Sequence, residues 1–503
     1  MIHLSARGAV TRSRHALFLA AAASAMLCVA AVAAPSLSRT PTRPATIDPA
    51  RLQGLADFVD GVMAEQIAAR EVAGAVVTVV HDGKVLFTRG YGYANIAERR
   101  PVDPMRTLFR PGSVSKLFTW VALMQQVELG RVDLDADVNT YLDFEIPPFE
   151  GQPIRVRDLM QHTPGFSDVS GIITRDSGNV RDYRQWAKEN IPERLWKAGT
   201  EISYSNYGVV LAGYIVERVS GEPFADYVER HIFRPLGMSS TTFREPLTGA
   251  LHDNMATGYR LVDGRFVAQP FENISAVMPA GSSSATAPDM ARFMLALLGE
   301  GQLDSVRILE SNSVALLLSD SVANAPNLPG MAHGFYVVRA ANPRLLGHGG
   351  NTGDFHSNLV IAPEQDFGFF ISTTGGRGSG AGRTELTDAI IGRIFPQQPA
   401  PRWTGTDDPQ PPMGSYRSNR RDYSRPARPE YDLELSMPEP HLIIVESPEG
   451  KTAWEQIGPL LYERVTGARE GGPYHRLQFY GLPDHPRLSF SNEPYLTYRL
   501  VKP

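Results

Sequence analysis

Ser113 and Lys116 stand three residues apart in the run Gly112-Ser113-Val114-Ser115-Lys116. On a helix that spacing puts both side chains on one face, a turn apart. A lysine shielded from water there can act as a base toward the serine hydroxyl, because burial disfavours its charged form. The helix N-terminus also offers the Ser113 backbone N–H to a developing oxyanion. Taken alone, the pattern equally describes an N-cap serine beside a solvated lysine. A second pair, Tyr204 and Asn206 in Tyr204-Ser205-Asn206, lies on an extended segment just before a helix and projects to one side. Tyrosine can serve as a general base when a nearby lysine lowers its pKa, and asparagine can hydrogen-bond a substrate amide. A buried tyrosine next to an N-cap asparagine is the plainer alternative. The third cluster is Gly347-His348-Gly349-Gly350-Asn351. Gly349 and Gly350 let a substrate lie against a strand whose N–H groups can complete an oxyanion hole, whereas His348 alone reads as a surface turn residue.

Elements of both kinds must hold these groups. Helical apolar spacing runs from Arg51 to Arg70, and two strands joined at Asp82-Gly83 fill Ala73 to Tyr93. Helices are expected from Ser113 to Leu129, Tyr207 to Val219, Pro223 to Leu236 and Asp289 to Leu298, three of them stopped by Gly130, Gly221 and Gly237. Strands return at Phe355 to Ile361 and Phe367 to Ser372, and a helix closes the region from Thr384 to Phe395. This is an α+β plan in which the end helices cover one sheet face. Gly375 to Gly382 reads as a mobile loop, since no phosphate-binding pattern follows it. Beyond Gln397 the chain turns proline-rich, then alternates in short runs from Tyr431 to Val501, as a small antiparallel barrel or sandwich does. No catalytic cluster is legible in that last part.

Composition narrows the classes. With 42% hydrophobic and 20% charged residues the 503-residue chain is globular, and a net charge of −5 offers no basic surface to nucleic acid. The single cysteine, Cys28, excludes a disulfide scaffold and any cysteine-based metal site. Arg7, Arg12 and Arg14 followed by an apolar run to Ala34, with Ala31-Val32-Ala33 as a small-x-small site, read as a cleavable export signal. An uncleaved N-terminal membrane anchor is the alternative. Cleavage would discard Cys28 and leave a periplasmic or secreted chain with no membrane span. The expected organisation is a signal (1–33), a linker (34–50), a hydrolase domain (51–396), a Pro-rich linker (397–412) and a C-terminal β domain (413–503).

The three clusters, in this order and context, resemble the serine β-lactamase and penicillin-binding-protein superfamily, most closely its class C-like branch of esterases, D-aminopeptidases and D,D-peptidases. The resemblance extends from about Arg51 to Phe395 and includes Leu108-Phe109-Arg110-Pro111-Gly112, His162-Thr163-Pro164-Gly165-Phe166 and Met278-Pro279-Ala280-Gly281. It implies an antiparallel sheet flanked by helices with an all-helical subdomain. It also implies Ser113 as nucleophile, Lys116 as proton acceptor, Tyr204 as general base and acid, and Asn206 orienting Lys116 and the acyl side. The N–H groups of Ser113 and Asn351 would form the oxyanion hole. His348 stands where β-lactamases carry lysine. Histidine is only partly charged near neutral pH, which favours ester or D-amino-acid peptide substrates over β-lactams.

The expectation is therefore an exported serine hydrolase working through an acyl-enzyme on Ser113, without metal or cofactor. Its partner would be a small ester or peptide, with peptidoglycan fragments among the candidates and nucleic acid not. A class C-type β-lactamase, a D,D-carboxypeptidase and a catalytically weak peptidoglycan-binding scaffold are the alternatives. A Ser-His-Asp hydrolase centred on Gly281-Ser282-Ser283-Ser284-Ala285 is the rival arrangement, drawing on His162, His348 or His356, although His162 reads as structural. Pocket-lining side chains are expected on the loops from Asp168 to Lys197. Substrate identity and oligomeric state stay open.

Overall fold

The computed structural model describes residues 46–176, 178–375, 380–405, 409–467 and 471–501. The signal, Cys28, residues 34–45 of the linker and the centre of the Gly375-to-Gly382 loop lie outside the described residues. β-Branched runs build the central sheet: Gly74–His81 (β1) and Lys84–Asn95 (β2) form a hairpin at Asp82-Gly83, both with positive φ (51° and 69°), as a tight turn requires. Tyr336–Arg339 (β3), Leu345–Asn351 (β4), Phe355–Ala362 (β5) and Phe367–Thr374 (β6) complete it. With the two-residue edge Arg100–Pro101, the order across the seven strands is edge, β2, β1, β6, β5, β4, β3, all antiparallel.

Alternation along the strands feeds two cores. Val77, Val79, Phe369 and Ile371 pack on one face against the helices Leu55–Ala68 (α1) and Ala381–Ile394 (α2). Val76, Val80, Phe370, Leu359 and Ile361 point the other way, into the helical block. Both faces are covered, which is why these strands read as nearly continuous apolar runs. The α+β plan with end helices on one face is what the chain builds.

Several helices differ from their expected extents, and α2 begins inside the Gly375-to-Gly382 stretch expected as a loop. The first breaks at Gly54 (φ 66°) into Pro49–Leu52, capped by Asp48, and α1, so helix begins inside the stretch expected as linker. The helix at Phe224–Val228 passes into a π turn at Glu229–Phe233 and ends short of Leu236.

The C-terminal part is a closed eight-stranded antiparallel barrel, not a sandwich: Gly414–Ser418, Asp432–Glu439, Leu442–Ser447, Gly450–Gly458, Leu461–Arg464, Arg476–Tyr480, Arg487–Phe490 and Tyr498–Leu500. Its core holds Tyr416, Trp454, Tyr462, Phe479 and Phe490. The strand Gly450–Gly458 escapes a hydropathy reading because Gln456 is one of its inward residues, satisfied by donating to the Gly458 carbonyl. The proline-rich segment lies along the barrel: Gln397, Ala400 and Trp403 donate backbone N–H groups to Gly471, Glu463 and Gln456.

Candidate active site

Gly112–Ser115 forms a single 3-10 turn that leads into the helix Lys116–Glu128 (α3). The turn carries Ser113 to the mouth of a cavity and Lys116 to full burial. Lys116 Nζ lies 3.0 Å from Ser113 Oγ, 2.9 Å from Asn206 Oδ1 and 2.5 Å from the Ala280 carbonyl oxygen. Two of these neighbours are pure acceptors and the third is a hydroxyl. An ammonium could donate to all three, whereas in the neutral amine two N–H groups serve the carbonyl oxygens and the lone pair is left for the Ser113 proton. Burial, then the positive charge of Arg420, holds the Lys116 pKa well below its ordinary value, with Asp168 acting in the opposite sense. The arrangement can deprotonate a serine.

Asn206 opens the helix Asn206–Ser220 (α4), but Ser205 is the N-cap, its hydroxyl accepting from the Gly208 N–H at 3.0 Å. That leaves the Asn206 amide to face Lys116. His162 clamps the tyrosine segment. Its carbonyl accepts from Ser203 N, its Nδ1 from Ser205 N at 3.2 Å, and its ring stacks on Tyr204 with centroids 4.4 Å apart. This is the structural role expected of His162. Tyr204 is buried, with its ring 5.0 Å from Lys116 Nζ. Burial pushes its pKa up, against the opposing influence of Arg420 and of the Ser113 hydroxyl. The Ser113–Tyr204 pair falls short of a formed hydrogen bond, for Tyr204 Oη is left without a partner.

The third cluster runs along β4, against the Ser113 turn. A Cβ on Gly350 would stand 1.9 Å from the Pro111 oxygen and 3.0 Å from Ser113 N, and one on Gly112 would stand 2.9 Å from Asn351 N. Only glycine allows this approach, which brings the amides of Ser113 and Asn351 to the same contact. His356 Nδ1, 2.8 Å from Asn351 Oδ1, fixes the Asn351 side chain. Gly350→Ala is expected to displace the Ser113 turn, lowering kcat/KM by about 100-fold or more and the melting temperature by several degrees. Gly349→Ala would meet only the side-chain ends of Asn358 and Arg383 and should change kcat/KM by no more than a few-fold. Equal effects at the two glycines would refute this reading.

His348 differs from its expected state of partial charge. It is 1% exposed, stacked on Tyr336 at 4.1 Å, and burial with the nearby Lys116 pushes its pKa down to about 3, so the ring is neutral. The rival triad is not assembled among the described residues. Ser282 bonds to the Phe243 carbonyl, and Ser283 to the Ser115 hydroxyl at 2.6 Å. The run follows a short helix, Met278–Gly281, and no strand precedes it as an elbow requires. No group of three or more histidine, cysteine, aspartate or glutamate side chains able to hold a metal ion occurs among the described residues.

The cavity beside Ser113 has a volume of about 580 Å³. Its walls are Tyr204, Tyr336 and His348 on one side, Arg383 and its neighbours on α2 on another, and barrel residues on the third, among them Arg420, Glu493 and Tyr495. No described residue of the loops from Asp168 to Lys197, expected to line it, does so. Arg420 and Tyr495 lie in the stretch where no catalytic cluster was legible. The Arg420 guanidinium carbon stands 4.2 Å over the Tyr204 ring, and the Tyr495 carbonyl accepts from Tyr204 N. Nothing in the sequence around Asn419-Arg420-Arg421 marks this, because the contact is made between single side chains of distant segments.

A family model described as Beta-lactamase matches residues 59–391. Among curated proteins, the chain is 25% identical over 319 residues to Protein flp of Staphylococcus aureus strain N315, an alignment covering 62% of each chain. It is 31% identical over 236 residues to the Putative penicillin-binding protein PbpX of Bacillus subtilis, covering 46% of this chain and 56% of that one. The chain thus spans about three fifths of the length of the curated relatives it matches. Among solved structures, the D-amino acid amidase of Ochrobactrum anthropi is 25% identical with a TM-score of 0.57, covering 68% of this chain and 98% of that one. The octameric penicillin-binding protein homologue from Pyrococcus abyssi is 20% identical with a TM-score of 0.59, covering 89% and 100%, and attests the fold alone. With the three clusters gathered around one cavity and the family model spanning well over half of its length, the chain belongs to the β-lactamase family, within the serine β-lactamase and penicillin-binding-protein superfamily of serine hydrolases.

Proposed function

We propose that the protein is an exported serine hydrolase that cleaves esters or D-amino-acid-containing peptides and amides through an acyl-enzyme on Ser113. The observation that carries this reading is the buried Lys116 Nζ 3.0 Å from Ser113 Oγ, its other neighbours both acceptors and its pKa held well below the ordinary lysine range by burial. In acylation the Ser113 oxygen attacks the substrate carbonyl carbon while its proton passes to Lys116. The developing oxyanion is met by the Ser113 and Asn351 amides, and Tyr204 delivers the proton to the leaving ester oxygen or amine. Water then enters by the reverse route, Tyr204 taking its proton, to release the acid and regenerate Ser113. Asn206 keeps the Lys116 amine oriented. The neutral His348 supports substrates whose recognition does not need a cation at that position, and the amidase named above acts on amides of amino acids by its own name. Export is supported by Arg7, Arg12 and Arg14 preceding the apolar run to Ala34; no helix among the described residues is long and apolar enough to cross a membrane.

One feature favours a second reading, a D,D-carboxypeptidase. Arg383 lines the cavity, its hydrogen bonds go to the neutral oxygens of Ser357, Asn358 and Thr384, and its Nη1 would be 3.4 Å from a Cβ on Gly349. Burial lowers its pKa, so an incoming carboxylate would be welcome there. A panel of nitrophenyl esters, D-alanyl amides, D-alanyl-D-alanine peptides with free or amidated C-termini, and a chromogenic cephalosporin tests both readings against a Ser113→Ala control. Esters and amides turned over faster than the cephalosporin, by an exported form beginning near Pro35, are expected. A rate dominated by peptides with a free C-terminus would install the second reading. A cephalosporin rate above the ester rate would overturn the first.

A further inference from the structure

We propose that the C-terminal barrel is a working part of the active site, through Arg420: held by Asp168 of the hydrolase fold, its guanidinium stands on Tyr204 and sets the charge around the Lys116–Tyr204 proton-transfer pair. Arg420 is thus a positioning residue for acylation, and the inference rests on the serine-hydrolase reading above.

The barrel loop that carries Arg420 is fastened on both sides. Ahead of it, Asn419 Nδ2 donates to Glu201 Oε1 and to the Ile202 carbonyl, both at 2.9 Å, just before the tyrosine segment. Behind it, the Arg421 carbonyl accepts from Asp168 N at 3.1 Å and Ser167 Oγ at 3.3 Å, while Tyr423 N donates to Ser167 Oγ at 3.0 Å. Glu201, 3% exposed, also receives Arg499 and Arg487 of the barrel. Between these anchors Arg420 Nε donates to Asp168 Oδ2 at 3.0 Å, and Asp168 Oδ1 lies 3.5 Å from Asn206 Nδ2. A chain of contacts therefore runs from the barrel through Asp168 to Asn206 and Lys116. Arg420 is one-third exposed, and it lines the cavity.

The charge balance makes this position matter. Around Tyr204 and Lys116 the facing titratable groups are His162, His348, Tyr336, Tyr495, Asp168 and Arg420. Burial keeps both histidines and both tyrosines neutral. Arg420 and Asp168 are thus the charged pair nearest the reacting groups. Farther along the cavity Glu493 faces Arg420 and is pushed up by burial, and Arg383 faces Tyr495. A cation beside Lys116 and Tyr204 favours the neutral amine and the phenolate, the forms that accept protons, while the Asp168 carboxylate works against both. The Asp168–Arg420 pair sets that balance from two different parts of the fold.

Substitution of either partner should move the acid limb of the pH profile of kcat/KM on a nitrophenyl ester, in opposite directions. In the full chain, Arg420→Gln should shift the limb up by about one pH unit and lower kcat/KM at neutral pH by about tenfold. Asp168→Asn should shift it down, and the double variant should return it to within about 0.3 units of wild type. Arg420→Lys, which keeps the charge and guards against loss of folding, should leave the limb in place. A wild-type enzyme that is active while Arg420→Gln lowers the rate evenly across pH, or not at all, overturns this inference alone. A wild-type chain that neither turns over esters or amides nor is labelled by a fluorophosphonate overturns the proposed function, and this inference with it.

Discussion

Ser113→Ala is expected to reduce ester and amide turnover by about 10⁴- to 10⁶-fold, because the acyl-enzyme has no other oxygen on which to form. The hydroxyl is half-buried at the cavity mouth, and its hydrogen-bond partner among the described residues is Lys116 Nζ. Removing it leaves no cavity in the core and no second orphaned group, so the melting temperature should stay within about 2 °C of wild type. Intact-mass measurement after mixing with a slowly hydrolysed ester should show an adduct on the wild type and none on the variant. Residual turnover within tenfold of wild type would move the nucleophile elsewhere. Ser115 and Ser283 are poor substitutes, since each is fully buried and committed to a short hydrogen bond with the other.

Lys116→Met should lower kcat/KM by about 10³- to 10⁴-fold while leaving the side-chain volume nearly filled. The signature is in pH as well as in rate. In the folded state the Lys116 pKa is held well below that of the unfolded chain, first by burial and then by Arg420. Between those two values the unfolded state binds a proton that the folded state does not, so wild-type stability rises with pH across that window. The methionine variant has no such proton. Relative to wild type it should become more stable as pH falls from about 10.5 toward the folded pKa, and the difference should flatten beyond either end. Chemical denaturation of both proteins at several pH values would measure this. A stability difference independent of pH would mean that Lys116 is protonated in the folded protein and is no base.

Much of this site could be read from local spacing because local spacing builds it. Ser113 and Lys116 share one turn, Tyr204 and Asn206 straddle one N-cap, and Gly350 and Asn351 are neighbours on one strand. Each pair is fixed by a few residues of backbone geometry, which the chain displays directly. The reading failed where burial or distance decided. His348 was expected to be partly charged because an isolated imidazole is; packing between Tyr336 and Tyr204 makes it neutral. The strand Gly450–Gly458 carries no clean sign of itself, because an inward glutamine breaks the apolar alternation that marks a strand.

The cavity wall shows the other limit. The loop at Asp168 was expected to line the pocket and instead anchors the barrel loop that does. Asp168 and Arg420 are 252 residues apart, and one ion pair between single side chains leaves no periodicity or motif in either segment. By itself the sequence determined most of the strands, the capped helices and the serine, lysine, tyrosine and asparagine in register. Hydropathy period and turn chemistry act over a few residues and are written in composition. Only the tertiary structure decided that the barrel closes over that register, which charges reach Tyr204 and Lys116, and which histidines stay neutral. Those depend on what is packed nearby in space, and long-range packing joins residues that carry no local sign of one another.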